Sequence, residues 1–145
     1  MERIKKIVLL FVLSFVMFPL SAFCVETGGS DAVEFDWTPV MDAIIKVESG
    51  GDARAVSGNS AGVMQITPIL VQECNIIMKR RKSKKRFKLS DRFNVAKSKE
   101  MFLIIQSYFN PANNVEKAIR MWNGGLNYSI KRTQRYFERV MSKMN

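Results

Sequence analysis

Glu48 is the residue in this chain best placed to do acid–base chemistry. It falls one helical turn after Ile44 and two after Val40, on the side of a segment whose apolar spacing marks it as buried. A carboxylate on such a face is unfavourable unless it is neutral or hydrogen-bonded. Its place at the end of the segment adds the negative pole of the helix dipole. Both effects raise a pKa, which suits a general acid working near neutral pH. A rim glutamate turning to solvent as the helix ends fits the same position. A second pattern, Gly58-Asn59-Ser60-Ala61-Gly62, matches the Gly-x-Ser-x-Gly nucleophile elbow. It has no base to serve it, because the chain contains 0 histidines, and no strand pattern precedes it. The same absence removes every Ser-His-Asp, Cys-His and His-ligated metal centre. Cys24 and Cys74 alone cannot form a structural zinc site. No metal and no cofactor is expected.

The elements that must carry these residues read as helices. Thr38-Pro39 offers a hydroxyl cap and a proline start, and Gly50-Gly51 a stop. Asp52 to Ala61 is rich in loop formers. Thr67-Pro68 opens a second helix with Ile69, Leu70, Cys74, Ile77 and Met78 as its apolar set. Asp91 or Asn94 caps a third, ending at Asn110-Pro111. Asn113 with Glu116 fits a capping box for a fourth, closed by Gly124-Gly125. Ile130, Thr133, Phe137, Val140 and Met141 line the last. The spacing predicts about five helices and no clear strand, an all-α, mainly helical single domain.

The motifs run in a definite order. Glu48-Ser49-Gly50-Gly51 is followed by Ser57, then Gly62-Val63-Met64-Gln65, then Trp122-Asn123-Gly124-Gly125, then Tyr136. This series resembles the lytic transglycosylase SLT domain of the lysozyme-like superfamily along residues 37–142. The family pattern has Glu-Ser, a serine nine residues past the glutamate, Gly-Leu-Met-Gln, Ala-Tyr-Asn-x-Gly and a closing tyrosine. Val63 stands for the usual leucine and Met121-Trp122 for Ala-Tyr, and the loop from Ser57 to Gln65 is one residue short. The resemblance implies a lysozyme-like fold with a substrate groove. It implies cleavage of peptidoglycan between N-acetylmuramic acid and N-acetylglucosamine, with a 1,6-anhydro product. Glu48 would be the one catalytic carboxylate. Ser49, Ser57, Gly62, Val63, Met64, Gln65, Trp122, Asn123 and Tyr136 match substrate-binding positions. Trp122 also reads as a core residue, as does Met64. Gln65, polar inside an apolar run, fits a ligand better. Gly62 and Gly124-Gly125 read as ordinary turns or as places where backbone approaches a sugar chain.

A glycosidase using water needs two carboxylates about the scissile bond. Asp52, Glu73 and Asp91 are the candidates, and none has a setting like that of Glu48. A lysozyme-type hydrolase and a non-catalytic wall-binding protein are the rival readings.

The chain has 145 residues, enough for one domain, with a net charge of +10. Arg3, Lys5 and Lys6 precede an apolar stretch from Ile7 to Phe18, then Pro19 and Ser21-Ala22-Phe23-Cys24. Residues 1–24 read as a signal peptide cut before Val25, placing the protein in the periplasm or cell envelope. An uncleaved anchor, or a lipid on Cys24, are the other readings. Residues 25–36 form a polar, flexible leader, and the domain covers residues 37–145. Lys79, Arg80, Arg81, Lys82, Lys84, Lys85, Arg86 and Lys88 form a basic insert, 79–88, that the family pattern does not ask for. The rest of the exported chain balances acid against base. The insert reads as a solvated loop, as a site for anionic envelope polymers, or as a membrane-surface or membrane-active segment. Nucleic acid is not an expected partner: the chain leaves the cytoplasm, and Phe87 is the insert's one aromatic. By analogy with small domains of the family, a secretion or conjugation machine is a further expected partner.

Overall fold

Five α-helices carry the domain in the computed structural model, which describes residues 35–144. They are α1 (Thr38–Glu48), α2 (Pro68–Arg80), α3 (Val95–Phe109), α4 (Val115–Gly124) and α5 (Ile130–Met144). A short 3-10 helix, Leu89–Phe93, precedes α3. Between α1 and α2 the chain forms a small antiparallel hairpin, β1 (Val56–Ser57) with β2 (Ser60–Ala61), pairing Val56 with Ala61 and Ser57 with Ser60. The signal-peptide reading of residues 1–24 and most of the leader lie outside the described residues.

The helix ends show where local chemistry sets the boundaries. Thr67 caps α2, its hydroxyl accepting the Leu70 N–H at 3.2 Å. Asn94 caps α3 through the Lys97 N–H at 3.0 Å. Two expected caps are displaced by a residue or two. Thr38 lies inside α1, and its N–H donates to Asp36 Oδ1 at 2.9 Å, so the aspartate supplies the cap. At α4 the cap is Asn114, not Asn113: Asn114 Oδ1 takes the Lys117 N–H at 2.8 Å, while Asn113 sits in the left-handed region at φ 53. Ordered packing therefore begins before residue 37. Phe35 stacks edge-on against Trp37 at 4.7 Å between centroids.

The core joins all five helices. Trp37, Val40 and Ile44 from the first segment meet Met101 and Phe102 of α3, Ile119 of α4 and Val140 of α5, all buried. Phe102 is fully enclosed, with Trp37 on one side at 5.5 Å and Trp122 on the other at 5.2 Å. Burying a side chain of that size contributes roughly 1.5–3 kcal/mol. The core takes in one cation. Arg120 is 3% exposed. Its guanidinium reaches Glu116 at 2.7 Å, the Ile130 carbonyl and Thr133 at 3.1 Å and Gln134 at 2.8 Å, and lies 4.4 Å from the Phe137 ring centre. A buried charge with this many partners ties α4 to α5 firmly.

The basic insert is anchored rather than loose. It begins on the last turn of α2 and continues through residues 81–88. Phe87 is buried, and Asn75 holds its backbone at both groups: Nδ2 donates to the Phe87 carbonyl at 2.9 Å and Oδ1 accepts its N–H at 2.7 Å.

Candidate active site

Glu48 is the last residue of α1, half-buried at the wall of a pocket of about 260 Å³. Ser57, Ser60, Gln65, Thr67, Leu70, Trp122 and Asn123 complete the lining. Among the described residues no second acidic side chain lines it. Tyr136 of α5, 88 positions away in sequence, donates its phenol hydroxyl to Glu48 Oε1 at 2.6 Å. No hydrogen bond reaches Oε2 among the described residues, which leaves that oxygen for the pocket.

Burial pushes the Glu48 carboxyl above its ordinary value. The Tyr136 hydrogen bond and the positive charge of Arg139 oppose that rise without cancelling it. Tyr136 is driven upward, first by its own burial and then by the charge of Glu48, so it stays a neutral donor. Arg139 lies one turn beyond Tyr136 on α5 and also reaches the Val47 carbonyl at 3.3 Å. Arg139 belongs to none of the sequence motifs. Its i, i+3 spacing from Tyr136 was the available signal.

The loop between α1 and α2 forms the other wall. Ser49 ends α1, donating to the Val63 carbonyl at 2.8 Å and accepting the Gly51 N–H at 3.1 Å. The next carbonyl, Met64, accepts the Trp122 indole N–H at 3.2 Å. Gln65 sits at φ 49, and its amide donates to the carbonyls of Ala55 at 3.2 Å and Gly62 at 2.9 Å, bracing the turn.

Four of the residues matched to substrate contacts take other places. Ser49 is spent on the loop. Val63 and Met64 are 2% and 0% exposed, with side chains in the core. Gly62 is approached by protein, not by open space: a Cβ there, at φ +77, would fall 1.7 Å from the Arg92 carbonyl oxygen. The structure brings Ser57, Gln65, Trp122 and Asn123 together around Glu48. Trp122 serves both roles, its indole packed on Phe102 and half-buried at the pocket edge. Ser60, Thr67 and Leu70 join the lining without having been singled out as contacts. A more apolar groove of about 330 Å³ continues from the pocket past Thr67, Leu70, Trp122 and Asn123 to Ile69, Ile105, Phe109 and Leu126.

The alternative carboxylates do not line the Glu48 pocket. Asp91 is held by Lys97 at 2.7 Å and by the Lys88 N–H at 2.9 Å. Asp52 is exposed and caps its own turn through the Arg54 N–H at 2.8 Å. Glu73 lines the neighbouring groove, not the pocket.

The site is thus a single half-buried carboxyl at the edge of a polar pocket that adjoins a longer groove. The family model described as Transglycosylase SLT domain matches residues 34–144, and the chain belongs to that family. Comparisons with curated proteins and with solved structures give no match. Family membership implies, in general terms, lytic transglycosylase activity on peptidoglycan within a lysozyme-like, mostly helical fold.

Proposed function

We propose that this chain is an exported lytic transglycosylase that cleaves the β-1,4 bond between N-acetylmuramic acid and N-acetylglucosamine, with Glu48 as its one acid and base. The protonated Glu48 carboxyl gives its proton to the glycosidic oxygen, and the C1–O bond breaks. The carboxylate so formed takes the proton of the muramic acid C6 hydroxyl. O6 then bonds to C1, closing the 1,6-anhydro ring, and water takes no part. Tyr136 fixes the carboxyl through Oε1 and leaves Oε2 to the sugar. Ser57, Gln65 and Asn123 supply polar contacts, and Trp122 offers an aromatic edge.

The observation that carries this reading is the solitary carboxyl. Water-dependent glycosidases place a second carboxylate within about 10 Å of the first. Here the pocket lining contains Glu48 and no other acid among the described residues. The biological task that fits a small exported domain is local opening of the wall for an envelope-spanning machine.

Mass spectrometry of the soluble products from purified peptidoglycan tests the proposal, using residues 25–145 and the Glu48→Gln variant. Anhydromuropeptides from the wild type alone are expected. Reducing-end muropeptides overturn the transglycosylase step in favour of a hydrolase, with Asp52 and Glu73 the next residues to change. Binding without products from either protein overturns the catalytic reading.

A further inference from the structure

The basic insert has a shape that neither the pocket nor the family match explains. Arg80 donates to the Tyr108 hydroxyl at 2.8 Å, and Arg81 to Ser107 Oγ at 3.0 Å. Both guanidinium carbons stand over the Tyr108 ring, 5.8 and 5.9 Å from its centre. Together with the Asn75 clamp on Phe87, these contacts fix the segment against α3 as a platform.

The charge on this platform is unbalanced. Lys85 pairs with Glu100. Among the described residues Lys79, Lys82 and Lys84 form no ion pair with a carboxylate, whereas Lys97 and Lys99 are matched by Asp91 and Asp42. Apolar side chains interleave with the cations. Ile76, one turn before Arg80 on α2, is 45% exposed, and Leu103, one turn before Ser107 on α3, is 38% exposed. Tyr108 of α3, which Arg80 and Arg81 meet, is 37% exposed. A polymer of carboxylates would need the charges alone. Charges ringed by exposed aliphatic and aromatic groups match a bilayer surface, where ammonium groups meet phosphates and apolar groups enter the interface.

The platform also stands away from the chemistry. Thr67 and Leu70, at the start of α2, line the Glu48 pocket, and Lys79 and Arg80 end the same helix. Leu70 and Arg80 are separated by roughly 15 Å along the axis. No described helix is long and apolar enough to cross a membrane, so lipid contact by these residues is contact at a surface.

From this we infer that the platform formed by residues 79–88 with Ile76, Leu103 and Tyr108 docks the domain on an anionic phospholipid surface and leaves the Glu48 pocket open to the wall. The core that supports it is drawn from residues 37–140, so a chain starting at Val25 retains that core and omits the apolar stretch Ile7 to Phe18.

The test is co-sedimentation of residues 25–145 with phosphatidylcholine vesicles, with mixed phosphatidylcholine–phosphatidylglycerol vesicles, and with purified sacculi using Glu48→Gln. Between the two vesicle types, binding to the mixed one alone is expected, falling as salt rises, while any binding to sacculi through the pocket does not depend on the lysines. The combined change Lys79→Gln, Lys82→Gln, Lys84→Gln lowers that binding roughly a hundredfold, about fivefold for each lysine. The same positions changed to arginine keep it. Ile76→Gln weakens vesicle binding severalfold. Cleavage of soluble glycan chains is unchanged in the lysine variant, which separates this inference from the catalytic one. Equal binding to neutral vesicles, or lysine-dependent binding to sacculi rather than vesicles, overturns it. So does a glutamine variant that binds like the wild type while its circular dichroism spectrum is unaltered.

Discussion

Removing one oxygen atom tests how Glu48 is tuned. Tyr136→Phe deletes the hydroxyl that sits 2.6 Å from Glu48 Oε1 and leaves the ring in place. A hydrogen bond to a charged group contributes about 1.5–3 kcal/mol. Losing it when the carboxylate must form, and when the carboxyl must be aimed, predicts a fall in kcat/KM of roughly tenfold to a hundredfold. The pH dependence gives the sharper signature. The Tyr136 bond favours the ionised form and holds the Glu48 pKa down against burial. Without it the pKa rises further, and Glu48 stays protonated to higher pH. The alkaline limb of the pH profile, which reports loss of the acid, then moves upward. The assay is anhydromuropeptide release across a pH series, with thermal midpoints measured alongside. A drop in rate with no movement of the limb would mean that Tyr136 only supports the wall of the pocket. An unchanged rate and profile would refute the coupling altogether.

Glu48→Gln keeps the acceptor for Tyr136 and removes the buried charge. Because the folded pKa lies above the ordinary 4.5, the wild type is most stable, relative to its charged state, below that value and loses stability as pH rises through the raised pKa. Glu48→Gln lacks that decline, so urea titrations should show it more stable than the wild type at neutral pH and show the difference closing in acid. Gly62→Ala drives a methyl group into the Arg92 carbonyl, with the Cβ 1.7 Å from its oxygen and the backbone at φ +77. A loss of roughly 3 kcal/mol or more is expected in thermal denaturation. Lys82 occupies a left-handed position at φ 57, where α2 ends in bonds from the Lys82 N–H to the Lys79 carbonyl and from the Ser83 N–H to the Met78 carbonyl. Lys82→Gly relieves that conformation and should raise stability by about 1 kcal/mol.

The helices were legible because apolar spacing and capping residues act locally. Thr67 and Asn94 do what their types suggest. The displaced caps at Asp36 and Asn114 arise where two residues close in sequence can both accept a bond from the first turn. The hairpin left no trace of alternation, since its two-residue strands include exposed Val56 and Ser57. Within the site, Glu48 was conspicuous as a carboxylate on an apolar face. Its neighbours in space were harder to see. Gly62 suggested approach by a ligand, yet what comes close is the carbonyl of Arg92, a residue thirty positions on. Arg139 looked like any cation on an exposed helix face, and only the crossing of α1 and α5 brings it near Glu48. The anchoring of the basic insert depends on Asn75 and Tyr108, neither of which carries a motif.

The successive carbonyls of Val63 and Met64 take bonds from Ser49 and from Trp122, so one stretch of main chain latches together the two helices that flank the pocket. A peptide carbonyl survives every substitution. The side chains at these two positions, 2% and 0% exposed, answer mainly to volume. The bonds that hold this wall of the Glu48 pocket therefore do not depend on the side chains at 63 and 64, while Ser57 and Asn123 present their own side chains at the rim. Scaffold and pocket rim are thus built from separate atoms, main chain for the one and side chains for the other.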